Sequence, residues 1–157
     1  MTWVWAAAAA LAMYGQDLVA TWLVQAEAAY LPVRSALFLP LAANATYFFV
    51  CFLDYEGGTQ GSSDLKFAWT GPSGYSIRYL LSAITTGGAG TNGFLRAAAG
   101  ASVGTSGAGN TWGAVLTGTA GTGSTAGTLQ LQWAQNTSSG TATIVHAGSV
   151  LAAWQIA

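Results

Sequence analysis

Residues 127–136 read Gly-Thr-Leu-Gln-Leu-Gln-Trp-Ala-Gln-Asn, and this stretch decides the fold class. Apolar Leu129, Leu131 and Trp133 alternate with mostly polar residues, which is the period of two that a half-buried β-strand shows. Turn-forming residues follow over 136–140, and residues 141–146 begin a second run rich in Thr, Ile and Val. We predict that the two runs form a β-hairpin.

Other runs of the same kind occur along the chain, separated by turns rich in Gly, Pro and Ser. Aromatic, β-branched or alternating residues predict strands over 33–39, 45–56, 64–69, 75–84, 111–117 and 150–156. Residues 85–109 fit either a long flexible excursion or a pair of weak strands, and residues 17–30 fit a strand slightly better than a helix. No convincing α-helix follows residue 30. The count predicts an all-β antiparallel sandwich of the jelly-roll type over residues 36–157.

Alternation within these strands also predicts which side chains form the core. We expect a core that contains Leu129, Leu131, Trp133, Phe67, Trp69 and Trp154. Trp112 and Val115 are further core candidates from the 111–117 strand. On the 64–69 strand we expect Asp64 and Lys66 to point outward.

Residues 1–35 differ from the rest of the chain. Two tryptophans near the start precede five consecutive alanines, which favour a helix. The stretch lacks the positive charges that begin a signal peptide, and its apolar part is shorter than the roughly 20 residues of a membrane span. We therefore expect an N-terminal docking arm and no membrane span.

The composition restricts the class of protein. Hydrophobic residues make up 52% of the chain and charged residues only 6%, whereas about 25% is ordinary for a soluble domain. Such a surface is typical of a protein that packs against copies of itself or against a larger shell. With four basic residues and a net charge of -1, the chain has no basic patch, so we expect no nucleic-acid partner.

Few residues could perform chemistry. Cys51 lies in an apolar run and His146 lies beside a valine, so we interpret both as structural residues. One cysteine and one histidine cannot form a closed zinc site. Asp54 and Glu56 point the same way on a strand and could act as paired carboxylates, but they flank a glycine-rich loop and fit solvated edge charges better. We expect no enzyme activity, no metal and no cofactor.

The run from Tyr47 to Leu53 has the strongest implication for assembly. It is apolar throughout, but successive side chains of a strand point to opposite faces. If the odd-numbered residues fill the sandwich, Phe48, Val50 and Phe52 stand on the outer face of the sheet. Monomers seldom expose a contiguous apolar patch of this kind. We predict that these three residues line an interface between subunits.

Several motifs resemble those of one group of proteins. They are residues 36–47 (Ala-Leu-Phe-Leu-Pro-Leu-Ala-Ala-Asn-Ala-Thr-Tyr), 52–58 (Phe-Leu-Asp-Tyr-Glu-Gly-Gly), 64–69 (Asp-Leu-Lys-Phe-Ala-Trp) and, above all, 126–136 with 141–143 and 147–149. In these motifs the chain is similar to virion structural proteins of tailed phages and prophages of actinobacteria. The resemblance covers about residues 36–157, and no catalytic residues come with it.

The resemblance implies a structural role on the exterior of a phage particle, as a capsid decoration or as a tail or fibre component. It implies other virion proteins as partners. Collagen-like stalks joined to members of the group imply three chains, so a homotrimer is the expected assembly. A ring of another order and a heterologous contact to a shell protein are the alternatives. The alternative is a receptor- or carbohydrate-binding module at a fibre tip, since sugars stack on exposed aromatic rings; its partner would be a host cell-surface glycan.

Overall fold

A computed structural model of the chain describes residues 22–24, 37–58, 64–84, 93–97, 100–105 and 107–157. The described residues contain eleven β-strands and no helix. The strands are β1 (Trp22–Val24), β2 (Phe38–Leu41), β3 (Thr46–Glu56), β4 (Leu65–Thr70), β5 (Ser76–Ala83), β6 (Gly93–Ala97), β7 (Gly100–Val103), β8 (Thr111–Gly121), β9 (Gly127–Gln135), β10 (Thr143–Val145) and β11 (Val150–Gln155).

The strands form two antiparallel sheets. The seven-stranded sheet has the order β1-β10-β3-β8-β5-β6, and β11 also pairs with β3. The four-stranded sheet has the order β2-β9-β4-β7. Buried side chains from both sheets form one hydrophobic cluster between them. The prediction of an all-β antiparallel sandwich is therefore confirmed.

Eight of the strands pair in a nested order. β2 pairs with β9, β3 with β8, β4 with β7, and β5 with β6. The two sheets alternate along this series, because the first and third pairs belong to the four-stranded sheet and the other two to the seven-stranded sheet. The chain thus runs as one long folded ribbon whose successive sections cross from sheet to sheet.

An aromatic cluster joins the sheets at the centre of the core. The Phe49 ring of β3 meets the Trp69 ring of β4 edge-on, with 5.2 Å between their centroids. Tyr79 of β5 lies 6.2 Å from Trp69 and 6.3 Å from Phe67. Such edge-to-face contacts add about 0.5–1.5 kcal/mol per pair to the burial of the rings. Leu129, Leu131 and Trp133 of β9 are buried as predicted.

The predicted hairpin of 127–136 with 141–146 is wrong. β9 pairs with β2 and β4 in the four-stranded sheet, whereas β10 pairs with β1 and β3 in the seven-stranded sheet. Residues 136–142 therefore cross from one sheet to the other. Gln135 anchors this crossing because its side chain, fully buried, accepts a hydrogen bond from the Ser139 N–H at 2.9 Å and donates one to the Thr141 carbonyl at 2.6 Å.

β10 and β11 lie end to end along the same edge of β3. Between them, residues 146–149 oppose only Leu53 and Asp54, so the ladder is interrupted by two extra residues. The Ser149 hydroxyl fills the gap: it accepts a hydrogen bond from the Asp54 N–H at 3.0 Å and lies 3.0 Å from the His146 carbonyl oxygen. Gly148 has a φ of 98°, which few residues other than glycine adopt.

Several finer predictions can be compared with the strands. The described part of 85–109 contains a pair of strands, β6 and β7. Pro40 lies in β2, an edge strand of its sheet, where its missing N–H breaks no ladder. Of residues 1–35 only Trp22–Val24 are described, as a strand paired with β10, and the rest of the predicted arm lies outside the described residues. In the described part of the chain no helix is long and apolar enough to span a membrane.

Candidate functional site: the outer face of the seven-stranded sheet

β3 is apolar on both of its faces. Tyr47, Phe49, Cys51, Leu53 and Tyr55 point into the sandwich, and each is at most 9% exposed. Every second residue between them points to the opposite side of the sheet. There Phe48 and Phe52 are 40% and 41% exposed, and Val50 is half-buried.

Other large side chains extend this outer surface beyond β3. Leu80 of β5 is exposed, as are Val115 of β8 and Trp154 of β11. We call this surface the apolar face; its residues are Phe48, Val50, Phe52, Leu80, Val115 and Trp154. Together they give the seven-stranded sheet a hydrophobic outer side, whereas on the outer side of the four-stranded sheet Phe38 is the one large apolar side chain exposed among the described residues.

Two predicted core residues, Trp154 and Val115, are exposed instead. In β11 the side chains that face the core are the opposite set to the expected one, because Leu151 is buried and Trp154 is 39% exposed. Val115 also points outward, because its neighbours Ala114 and Leu116 fill the core. Apolar residues occupy both faces of these strands, so alternation alone could not select the inward set.

The apolar residues stand in three rows that cross the sheet. In the strand order β11, β3, β8 and β5, the rows are Trp154, Phe48, Thr119 and Arg78; Ala152, Val50, Thr117 and Leu80; and Val150, Phe52, Val115 and Ser82. Trp154 and Phe48, neighbours in the first row, stack with 6.0 Å between ring centroids and 29° between planes.

A hollow of about 300 Å³ opens on this face. Phe48 forms one wall and Leu80 the other, with Thr117, Gly118 and Thr119 between them and Arg78 at the rim. Threonine and glycine have short side chains, so the surface is lower over β8 than over β3 and β5. The hollow therefore lies directly beside the most prominent aromatic pair of the face.

The carboxylates that could have formed a catalytic pair lie at one end of the apolar face. Asp54 and Glu56 point to the same side of β3, as predicted, and this is the outer side. The Glu56 carboxylate accepts a hydrogen bond from the Gly109 N–H at 2.7 Å, and its other oxygen lies 3.5 Å from His146 Nε2. His146 and Glu56 are both partly buried. The two contacts of Glu56 fasten the 107–110 turn and the end of β10 to β3, so this carboxylate has a structural role.

Asp64 does not join this group, and its predicted outward orientation is wrong. Its side chain is 1% exposed and accepts hydrogen bonds from the Thr105 N–H and the Thr105 hydroxyl, at 3.0 and 3.2 Å. These bonds tie the start of β4 to the end of β7. Among the described residues no three His, Cys, Asp or Glu side chains lie close enough together to hold a metal ion.

Cys51 and Tyr55 of β3 are buried beneath the face, and burial raises the pKa of each. Burial raises the pKa of the Cys51 thiol far above its usual range, which leaves it protonated and unreactive. Burial also raises the pKa of Tyr55, and the negative charge of Asp64 raises it further. The Tyr55 hydroxyl donates a hydrogen bond to the Gly104 carbonyl at 2.9 Å.

Sequence reasoning found part of this site. It placed Phe48, Val50 and Phe52 on the outer face, where the structure also has them, but it missed Leu80, Val115 and Trp154. Leu80 carried a usable signal, since Tyr79-Leu80-Leu81 is an uninterrupted apolar run in which one residue must point outward.

Comparisons with known proteins add little to this description. No known protein family matches the chain, and no curated protein matches it. Among solved structures, a similarity is found to the crystal structure of the infectious bursal disease virus VP2 subviral particle, with 10% sequence identity and a TM-score of 0.21. The match covers 91% of this chain and 40% of that one. A TM-score this low does not establish a shared fold.

Proposed function

We propose that the protein is a non-enzymatic structural component of a tailed-phage particle, displayed on its exterior and assembled through the apolar face. The observation that carries the proposal is the exposure of Phe48 and Phe52 beside Leu80, Val115 and Trp154. Burying one large apolar side chain contributes about 1.5–3 kcal/mol, so several on one face strongly favour association.

The nested strand pairing supports the proposal. The pairs β2–β9, β3–β8, β4–β7 and β5–β6 are those of a chain folded into one ribbon and rolled into two sheets. We infer from this order that the sandwich is of the jelly-roll type, which viral capsid and lectin domains share. Fold alone does not assign a function, and the support for a phage structural role comes from the apolar face and from the sequence resemblance of residues 36–157.

The polar contacts of the charged residues also support a structural role. Glu56 already binds the Gly109 N–H and lies against His146, and Asp64 is buried against Thr105. A catalytic pair would need accessible carboxylates with partners aimed at a common reacting atom. Other virion proteins are the partners that this proposal expects, and the homotrimer implied by the resemblance is the alternative to the two-fold pairing proposed below.

The test is the oligomeric state of the purified full chain, measured by light scattering at micromolar concentration. We expect an oligomer for the wild type and a monomer for the Phe48→Asp, Phe52→Asp double variant, because two charges on the face prevent its burial. Phe38→Asp is the matched control, since Phe38 is 39% exposed on the other sheet. A monomeric wild type would contradict the proposal.

The place of the protein on the particle is tested separately, by imaging a labelled copy on the virion.

A second candidate function is binding of a host cell-surface glycan at a fibre tip. The observation that favours it is the exposed Phe48–Trp154 stack, because sugar rings pack on exposed aromatic side chains. A glycan array probed with the wild type and with Trp154→Ala distinguishes the candidates. Binding that Trp154→Ala abolishes supports the glycan candidate, and a blank array supports a purely structural role.

A further inference from the structure

We propose that the apolar face pairs with the same face of a second copy of this chain, about a two-fold axis that runs along the strands between β3 and β8. The inference rests on the proposed assembly role, because it names the partner and the geometry of the same surface. A two-fold interface brings one patch against itself, so the patch must be complementary to its own rotated image. The three rows satisfy this condition.

Rotation about this axis exchanges the four strands in pairs. Residues of β3 come to face those of β8 in the second copy, and residues of β11 come to face those of β5. In the first row Phe48 faces Thr119. In the second row Leu80 faces Ala152. A large side chain therefore meets a small one in each case.

In the third row Val150 faces Ser82 of the second copy, again a larger side chain against a smaller one, whereas Phe52 faces Val115, so that two exposed apolar side chains meet. Two twisted sheets that pack face to face hold their strands within about 30° of each other and lie about 10 Å apart, which keeps the rows approximately aligned. Large residues opposite small ones let such surfaces interdigitate without voids.

The hollow agrees with this pairing of the rows. It lies over Thr117 and Thr119 of β8, which is where the axis brings Phe48 of the second copy. It is an open depression of about 300 Å³ and not an enclosed cavity, so a phenyl ring can approach it from above the sheet. Each copy thus offers Phe48 as a projection and, one strand away, the recess that would receive it.

Charges on the face agree with the same arrangement. Arg78, at the rim of the hollow, comes to face Trp154 of the second copy, and an arginine over an indole face is a favourable cation–π pair. Asp54 comes to face Gly113, which has no side chain to crowd the carboxylate. In these rows no described residue faces a residue of like charge in the second copy.

A cysteine pair tests the geometry. Leu80 and Ala152 lie three strands apart within one copy, about 14 Å. Across the proposed axis they face each other at the spacing of two packed sheets, about 10 Å, which is too long for a disulfide but can be bridged by a bis-maleimide of that length. We expect the full-length Leu80→Cys, Ala152→Cys variant to form covalent dimers with this reagent, while the buried Cys51 does not take part. The control is Ser76→Cys, Ala152→Cys, since Ser76 is exposed on the same strand about 13 Å farther along.

The expected result is a wild-type mass of twice 16.0 kDa and at least about ten times more cross-linked dimer in the test variant than in the control. Equal cross-linking in the two variants overturns the proposed geometry. A trimer that Phe48→Asp, Phe52→Asp dissociates also overturns it, but leaves the assembly role intact. A monomeric wild type overturns both proposals.

Discussion

Trp154 and Phe48 stack on the outer side of the seven-stranded sheet, with their ring centroids 6.0 Å apart. The two rings belong to neighbouring strands, β11 and β3, and stand directly opposite each other in the register. Trp154 is 39% exposed and belongs to the apolar face, not to the core. Its replacement should therefore weaken association more than it lowers the stability of the fold.

We expect Trp154→Ala to lower the free energy of unfolding by about 1 kcal/mol or less, because only a cross-strand pair is lost. Association should weaken at the same time. The buried Trp133 is the comparison: Trp133→Ala should cost about 3–5 kcal/mol. Chemical denaturation and light scattering measure the two effects. A large loss of stability in Trp154→Ala would contradict the distinction between face and core.

Ser149 bridges the interruption between β10 and β11. Ser149→Ala removes the acceptor for the partly buried Asp54 N–H, so we expect a loss of about 1–3 kcal/mol in the free energy of unfolding. Ser124→Ala, in an exposed loop, is the control and should change stability by less than about 0.5 kcal/mol. Equal stabilities of the two variants in urea would show that the hydroxyl does not support the ladder.

Tyr55 should make the protein sensitive to alkali. Its pKa in the fold lies above the ordinary value of 10.0, because burial and the charge of Asp64 disfavour the phenolate. The unfolded chain therefore releases the proton first as pH rises. The contribution of the neutral Tyr55 hydroxyl to the free energy of unfolding is present in full below pH 10, and the free energy of unfolding falls by about 1.4 kcal/mol per pH unit above it.

Tyr55→Phe tests this prediction by removing the ionisable group. At neutral pH the variant should be less stable by about 1 kcal/mol, because the Gly104 carbonyl loses its donor. The difference between variant and wild type should shrink or reverse above pH 10. Urea denaturation at several pH values measures it, and parallel curves for the two proteins would contradict the assignment.

Gly118 lies where β5 and β8 approach closely. A methyl group there would meet the Arg78 carbonyl oxygen and would lie 2.6 Å from the Tyr79 Cα, both backbone atoms that cannot move aside alone. We expect Gly118→Ala to destabilise the fold by at least about 1–3 kcal/mol. Gly113→Ala is the control on the same strand, because its methyl meets only the tip of the Phe52 ring, at 3.1 Å. Equal melting temperatures would contradict the close approach.

Period-two patterning was sufficient to predict the fold class and most core residues of β4 and β9. It failed where a strand is apolar on both faces, as at Trp154 and Val115, since alternation then has no polar residue to mark the outside. It failed for Asp64 for a different reason. Hydrogen bonds to Thr105, 41 residues away in the chain, let the carboxylate be buried, and no local pattern contains that partner.

The partners of β9 and β10 were unpredictable for a related reason. A turn between two strand-like runs is compatible with a hairpin and with a crossing between sheets. The difference depends on long-range pairing with β2, β4 and β3. The outer-face position of Phe48, Val50 and Phe52 followed from strand geometry alone, whereas Leu80 and Trp154 joined them only once the sheet order was known.

The apolar character of both faces of β3 also bears on how the chain avoids misfolding. In most strands a slip of one residue is strongly disfavoured, because it carries the hydrophobic set to the solvent side. From Tyr47 to Leu53 of β3 such a slip would exchange one apolar set for another, and the side chains that oppose it are Asp54 and Glu56, which it would carry into the core. The correct pairing must then be selected by polar groups at fixed positions, namely the Asp54 N–H with Ser149 and the Glu56 carboxylate with the Gly109 N–H. Loss of both contacts should yield a protein that keeps its β-structure but pairs its strands in more than one way.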